Sequence, residues 1–146
     1  MSPVRLLDVN VLVALTKQTH LHQSAAFRWL ESLPDDARWA TCPLTEASFL
    51  RLMANPAVAG ERHSIEVVLA LLNSLDTRPG RAFLADPTSL RQPMIDTSRI
   101  VGHQQVTDFH LVNLAASSNA VFATFDQRIR DALAPEDRRH VEVIPV

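Results

Sequence analysis

Short apolar runs of strand type alternate along the chain with segments of helical period, and that alternation restricts it to an α/β fold around a parallel sheet. Val4 to Leu7, Arg38 to Cys42, Ala120 to Phe125 and Val141 to Ile144 read as strands. Between them Ala26, Phe27, Leu30 and Leu33, then Phe49, Leu50 and Met53, then Ile65, Val68, Leu69, Leu72 and Leu75 recur at the spacing of one helix face. Leu111, Leu114 and Ala115, and later Ile129 and Leu133, continue the pattern. Turn signals at Asn55-Pro56, Gly60, Pro79-Gly80, Pro87, Pro93 and Gly102 separate the segments, none of them with the composition of a domain linker. Asp96 to His103 is predicted to be a long surface loop.

With 146 residues, 47% of them hydrophobic, the whole chain 1–146 is expected to form one domain over one core. Aromatic residues are 5% and tyrosine is absent, so that core must be aliphatic. Cys42 is the sole cysteine, which rules out an internal disulfide and fits a reducing cytoplasm. Met1 to Thr16 is apolar but broken by Asp8 and Asn10 and lacks a basic start, so it is expected to be folded structure, neither signal nor membrane anchor. The formal net charge of -2 gives no strong whole-molecule attraction for nucleic acid, and any such contact must be local.

The chemistry-bearing feature is the position of certain acids. Asp8 ends the run Leu6-Leu7-Asp8 and Asp126 ends Phe122-Ala123-Thr124-Phe125-Asp126, each just before a helical segment. Glu46 and Asp108 each follow a threonine, at the expected first turn of a helix. Capping alone explains any one of them, because Asp and Thr are favoured at helix starts. Together they point further: in a parallel α/β sheet the strand carboxyl ends and helix amino ends share one edge, where ligands bind. Carboxylates about 4 Å apart repel by roughly 4 kcal/mol at an effective dielectric near 20, so a cluster of such acids calls for a hard divalent cation. Such an ion can activate water and neutralise charge on a departing oxygen, which is phosphodiester hydrolysis.

The phrases Leu-Leu-Asp8-Val-Asn-Val-Leu, Leu-Thr-Glu46-Ala, Val-Thr-Asp108-Phe and Ala-Thr-Phe-Asp126 resemble the PIN-domain toxins called VapC, nearly end to end. Asn55-Pro56-Ala-Val and Gly102-His103-Gln-Gln-Val-Thr-Asp108 narrow the resemblance to one subgroup. It implies a PIN-like three-layer α/β/α sandwich with a central parallel sheet. It also implies a Mg²⁺- or Mn²⁺-dependent endoribonuclease acting on structured RNA, transfer RNA being the commonest kind, and a homodimer neutralised by a small VapB antitoxin. By position, Asp8 and Asp108 would be the principal metal ligands, Glu46 would complete the acidic pocket, and Asp126 would bind metal directly or through water. Thr124 would support the site by hydrogen bonding, and Asn10 would fix the turn leaving the first strand or touch substrate.

Other residues invite other chemistry. His20 and His22, or His103 and His110 nearer Asp108, suggest a metal-free ribonuclease with imidazole acid and base, although isolated histidines of this kind are mostly solvated. Cys42 lacks a local basic partner and is expected in the core, as are Trp29 and Trp39. Arg128, Arg130, Arg138 and Arg139 could receive phosphates, but Asp131, Glu136 and Asp137 among them also fit a self-paired charged face.

Two rival functions differ in class. A phosphohydrolase of the haloacid dehalogenase type also opens on a strand ending in Asp, but Asn10 stands where its second Asp would be and no lysine follows Lys17. A non-catalytic PIN-like module would bind RNA or protein while its acids only cap helices.

Overall fold

The computed structural model describes residues 2–146. Its centre is a five-stranded sheet, all parallel, in the order β3-β2-β1-β4-β5. The strands are β1 (Val4–Leu7), β2 (Trp39–Thr41), β3 (Arg81–Phe83), β4 (Ala120–Thr124) and β5 (Val141–Val143). Between β1 and β2 lie α1 (Val9–Thr16) and α2 (Gln23–Ser32); between β2 and β3 lie α3 (Pro43–Met53), α4 (Pro56–Ala59) and α5 (Ile65–Ser74). α6 (Val106–Ser117) precedes β4 and α7 (Gln127–Ala132) follows it. β3 was not expected from the sequence, and the other strands fall within the predicted runs. The unpatterned stretch before α6 begins sooner than Asp96, just after β3, and is interrupted by 3-10 turns at Thr97–Arg99 and His103–Gln105.

Alternation along the strands sorts the core onto two faces. Leu7 and Ala123 point to one face, with Leu12, Ala26, Trp29, Trp39, Phe49, Val68 and Leu72 from α1 to α5 and β2. Leu6 and Phe122 point to the other, with Phe109, Val112 and Leu114 from α6, Ile129 from α7 and Leu133 just after it. The result is the expected sandwich, helices on both sides of a sheet that is buried through its middle strands. Both tryptophans pack inside as expected, at 7% and 2% exposure, and Cys42 is wholly buried. Each large side chain so enclosed contributes roughly 1.5–3 kcal/mol relative to exposure.

The register sets up the site. Leu7 of β1 pairs with Ala123 of β4, so Asp8, just past β1, and Thr124, the last residue of β4, lie side by side. β1 continues toward β2 on one side and β4 toward β5 on the other, and the gap between departing loops is the place where parallel α/β sheets bind ligands.

Candidate active site

Asp8 is the N-cap of α1, yet its carboxylate makes no capping bond to that helix and is 5% exposed. It turns instead to β4: the Thr124 hydroxyl donates to Asp8 Oδ2 at 2.7 Å, and the same hydroxyl accepts the Asp126 backbone N–H at 3.1 Å. One buried threonine thus fixes two acids from opposite ends of the chain. Asp126 caps α7, accepting the Arg128 N–H at 3.0 Å. Its two oxygens also accept the Arg128 guanidinium in a fork, both contacts at 3.0 Å. Asp108 lies in the first turn of α6.

The electrostatics show that these three acids share a neighbourhood. Burial pushes the Asp108 carboxyl up to about 6, and the charges of Asp8 and Asp126 add to the rise while Arg128 opposes it. Asp8 is raised as well, by burial first; the Thr124 hydroxyl bond and the backbone of Val9 and Asn10 oppose this, and Asp126 adds to it. Asp126 is lowered, chiefly by its bond to Arg128. So Asp126 has its cation, whereas Asp8 and Asp108 form no ion pair among the described residues, and only the charge of Arg128 eases Asp108.

Glu46 is placed in the first turn of α3, after β2, and is held differently. Thr41 donates to its Oε2 at 2.6 Å, and Arg81 of β3 approaches the same oxygen at 3.4 Å. Arg81 also donates to Thr41 at 2.9 Å and to Asp76 at 2.9 Å. The fourth acid therefore stands one strand over with its own cation, and the electrostatic cluster comprises Asp8, Asp108 and Asp126. Among the described residues no group of three or more His, Cys, Asp or Glu side chains is preformed to hold a metal ion.

Asn10 is exposed on α1, and no hydrogen bond among the described residues uses its side chain, so it does not fix the turn; it lines the cleft beside Asp126. His110 is paired with Asp86 of the loop before α6, and His103 lies exposed in the turn ahead of that helix. Lys17 donates to the Val58 carbonyl at 3.0 Å, which occupies the one lysine. Sequence reasoning missed Arg81, because its role depends on the unforeseen β3. It weighed Arg128 only as part of a basic group, although the spacing Asp126-x-Arg128 after a strand was a usable sign.

A crevice over Asp108 and Asp126, floored by Phe109 and Ile129 and edged by Gln104 and Gln105, opens at this end of the sheet. A parallel α/β sandwich with acids gathered at its β1–β4 gap defines a nuclease-type domain, and residues 5–133 match the PIN domain family, to which the chain belongs. Within that family it stands with the VapC ribonucleases. It is 38% identical to Ribonuclease VapC38 of Mycobacterium tuberculosis over 97% of this chain and 98% of that one. Ribonuclease VapC39 from the same organism is 35% identical over 87% of this chain and 91% of its own. Ribonuclease VapC44 is 32% identical over 89% and 91%. The fold resembles the crystal structure of VapBC2 from Rickettsia felis bound to a DNA fragment from their promoter, with a TM-score of 0.61 at 15% identity, over 97% of this chain and 99% of that one.

Proposed function

We propose that this chain is the toxin of a toxin-antitoxin pair, an endoribonuclease that hydrolyses phosphodiester bonds of a structured RNA such as transfer RNA with the help of Mg²⁺ or Mn²⁺. The observation that carries the reading is the gathering of Asp8, Asp108 and Asp126 at the β1–β4 gap, with no ion pair to Asp8 or Asp108 among the described residues. The donor set fits such an ion. All the candidate ligand atoms are hard carboxylate oxygens, and Mg²⁺ is usually held by one or two carboxylates with waters and substrate phosphate rather than in an all-protein cage. Asp8 and Asp108 are the ligands assigned here, with Asp126 acting directly or through water. When bound, the ion would lower the pKa of a water and balance charge on the leaving oxygen.

The chain's own groups do the rest. Thr124 holds Asp8 in one orientation, so the ligand needs no reorganisation on binding. Arg128 steadies Asp126 and lies 90% exposed, within reach of a phosphate. Glu46, fixed by Thr41 and Arg81, is assigned the orienting of water at the edge of the pocket. The partner assigned is a VapB-like antitoxin, with the active chain a cytoplasmic homodimer. No helix among the described residues is long and apolar enough to cross a membrane.

The test is cleavage of mixed cellular RNA with Mg²⁺, Mn²⁺ or EDTA, comparing the wild type with folded Asp8→Asn and Asp108→Asn variants. Cleavage is expected only with metal and only in the wild type, leaving 5′-phosphate and 3′-hydroxyl ends. Cutting that survives chelation and both substitutions, or 2′,3′-cyclic phosphate ends, would overturn the mechanism.

A further inference from the structure

The turn between α1 and α2 carries His20, Leu21 and His22, and it folds back over the junction between β4 and α7. The His22 ring lies 5.0 Å from that of Phe125, tilted by 43°, and the His20 ring lies 5.8 Å from that of His22. Phe125 is the residue between Thr124, which holds Asp8, and Asp126. A stepped row of three rings therefore begins one residue from the acids. These rings border an open cleft of about 470 Å³ that also includes Asn10, Leu21 and Arg128, and that shares Asp126 and Arg128 with the crevice over Asp108.

Core packing accounts for Phe125 but not for Leu21 at the rim of this cleft. Leu21 is 87% exposed although it sits in a short, hydrogen-bonded turn, where the His22 N–H donates to His20 Nδ1 at 3.0 Å. That bond places the ring proton of neutral His20 on Nε2, and burial, with His22 and Lys17 nearby, lowers its pKa and so favours that form. Flat rings with an apolar neighbour are good stacking surfaces. Both tryptophans are buried and tyrosine is absent, so neither can offer a face to a base.

We propose that the cleft between the α1–α2 turn and Phe125 is a nucleobase subsite for single-stranded RNA next to the phosphodiester that is cut. A base stacks against the His22–Phe125 step with Leu21 at its side, Asn10 meets the base edge, and Arg128 contacts the adjoining phosphate. A duplex cannot place a base there, because its π-faces are covered by their own neighbours. The subsite thus selects unpaired loops and explains how a chain with net charge -2 holds RNA locally. The proposal rests on the nuclease reading, and binding in EDTA tests it separately from cleavage.

The probe is a short mixed-sequence RNA oligonucleotide, single-stranded or annealed to its complement, titrated into the full chain in EDTA. Binding is read by anisotropy and by the histidine ring signals in NMR. In the wild type the single strand is expected to move the His20 and His22 signals and the duplex to leave them in place. His22→Ala should weaken single-strand binding about tenfold, the effect of losing one stacking surface, and His22→Phe should restore it to within about twofold. Unmoved histidine signals in the wild type would overturn the subsite, and would leave the cleft to a protein segment. So would a folded His22→Ala that binds as the wild type does, or a His22→Phe as weak as alanine. If Mg²⁺ and Mn²⁺ elicit no cleavage while the binding pattern holds, the nuclease reading fails alone; if cleavage is intact and the histidines are indifferent, the subsite fails alone.

Discussion

Thr124 donates its hydroxyl proton to Asp8 across 116 residues of sequence, and the same oxygen receives the backbone N–H of Asp126. Replacing it with valine keeps the shape but leaves a buried carboxylate oxygen without its donor. Thr124→Val is expected to lower the unfolding free energy by about 1–3 kcal/mol. It should also weaken Mn²⁺ binding by roughly 10–100-fold, as losing a support to a metal ligand typically does. Denaturant titration and calorimetry measure the two effects, and Thr124→Ser should recover most of both. An unchanged Mn²⁺ affinity in Thr124→Val would separate Asp8 from the proposed metal site.

Asp108 has its carboxyl raised from 3.8 to about 6 in the folded chain. Between those values the folded protein keeps a proton that the unfolded chain has released, so stability falls as pH rises through that window and stays reduced above it. In metal-free protein, Asp108→Asn should therefore be more stable than wild type at about pH 7.5, by roughly 1–2 kcal/mol after allowance for solvent screening of a partly exposed group. The difference should shrink to a few tenths of a kcal/mol by about pH 3.5, close to the ordinary carboxyl value, and vanish below it as both states become protonated. Melting curves across this range check the sign. A variant less stable than wild type at the higher pH would contradict it.

Arg81 gathers Thr41, Glu46 and Asp76 and lies 5.2 Å over the Trp39 ring. Arg81→Met keeps most of the stem and removes the charge, and is expected to cost about 1 kcal/mol, because the pairs are partly solvated. In a double-mutant cycle with Glu46→Gln, the coupling should be about 0.5–1 kcal/mol. Additive effects would mean that Arg81 does not hold Glu46.

Gly80 precedes β3 with φ of +86°, and a Cβ there would meet the Ala37 carbonyl oxygen at 2.5 Å. Gly60 has the same φ, but a Cβ would meet nothing within 4 Å. Gly60→Ala should cost about 1 kcal/mol of backbone strain, and Gly80→Ala clearly more, roughly 2–3 kcal/mol, since the turn must also open. Equal losses in denaturant titrations would show that the close approach to Ala37 is relieved at no cost.

The middle of the fold was legible because its signals are local. β1, β2 and β4 are apolar runs ended by a turn or cap, and α2, α3 and α5 repeat their apolar residues at helical spacing. β3 was not, because Arg81, Ala82 and Phe83 form a short edge strand with no buried residue, directly after Pro79-Gly80. Its pairing is decided by β2, which sequence spacing does not reveal. The acids at strand ends were visible for the same reason as the strands. Whether Glu46 answers to Asp8 or to Arg81 depended on that edge strand. Likewise His20 and His22 look like solvated residues in sequence, and only the return of the chain at Phe125 brings them beside the acids.

β4 enters the sheet late, between β1 and β5, yet supplies Thr124 and leads into Asp126. A ribosome that has made everything up to α6 has therefore produced Asp8 and Asp108 without the strand that supplies Thr124 and leads into Asp126. In such a chain the first strand is left with an open edge, the one that β4 later covers. The shared wall of Asp8 and Asp126 is therefore built only once β4 has joined the sheet beside β1.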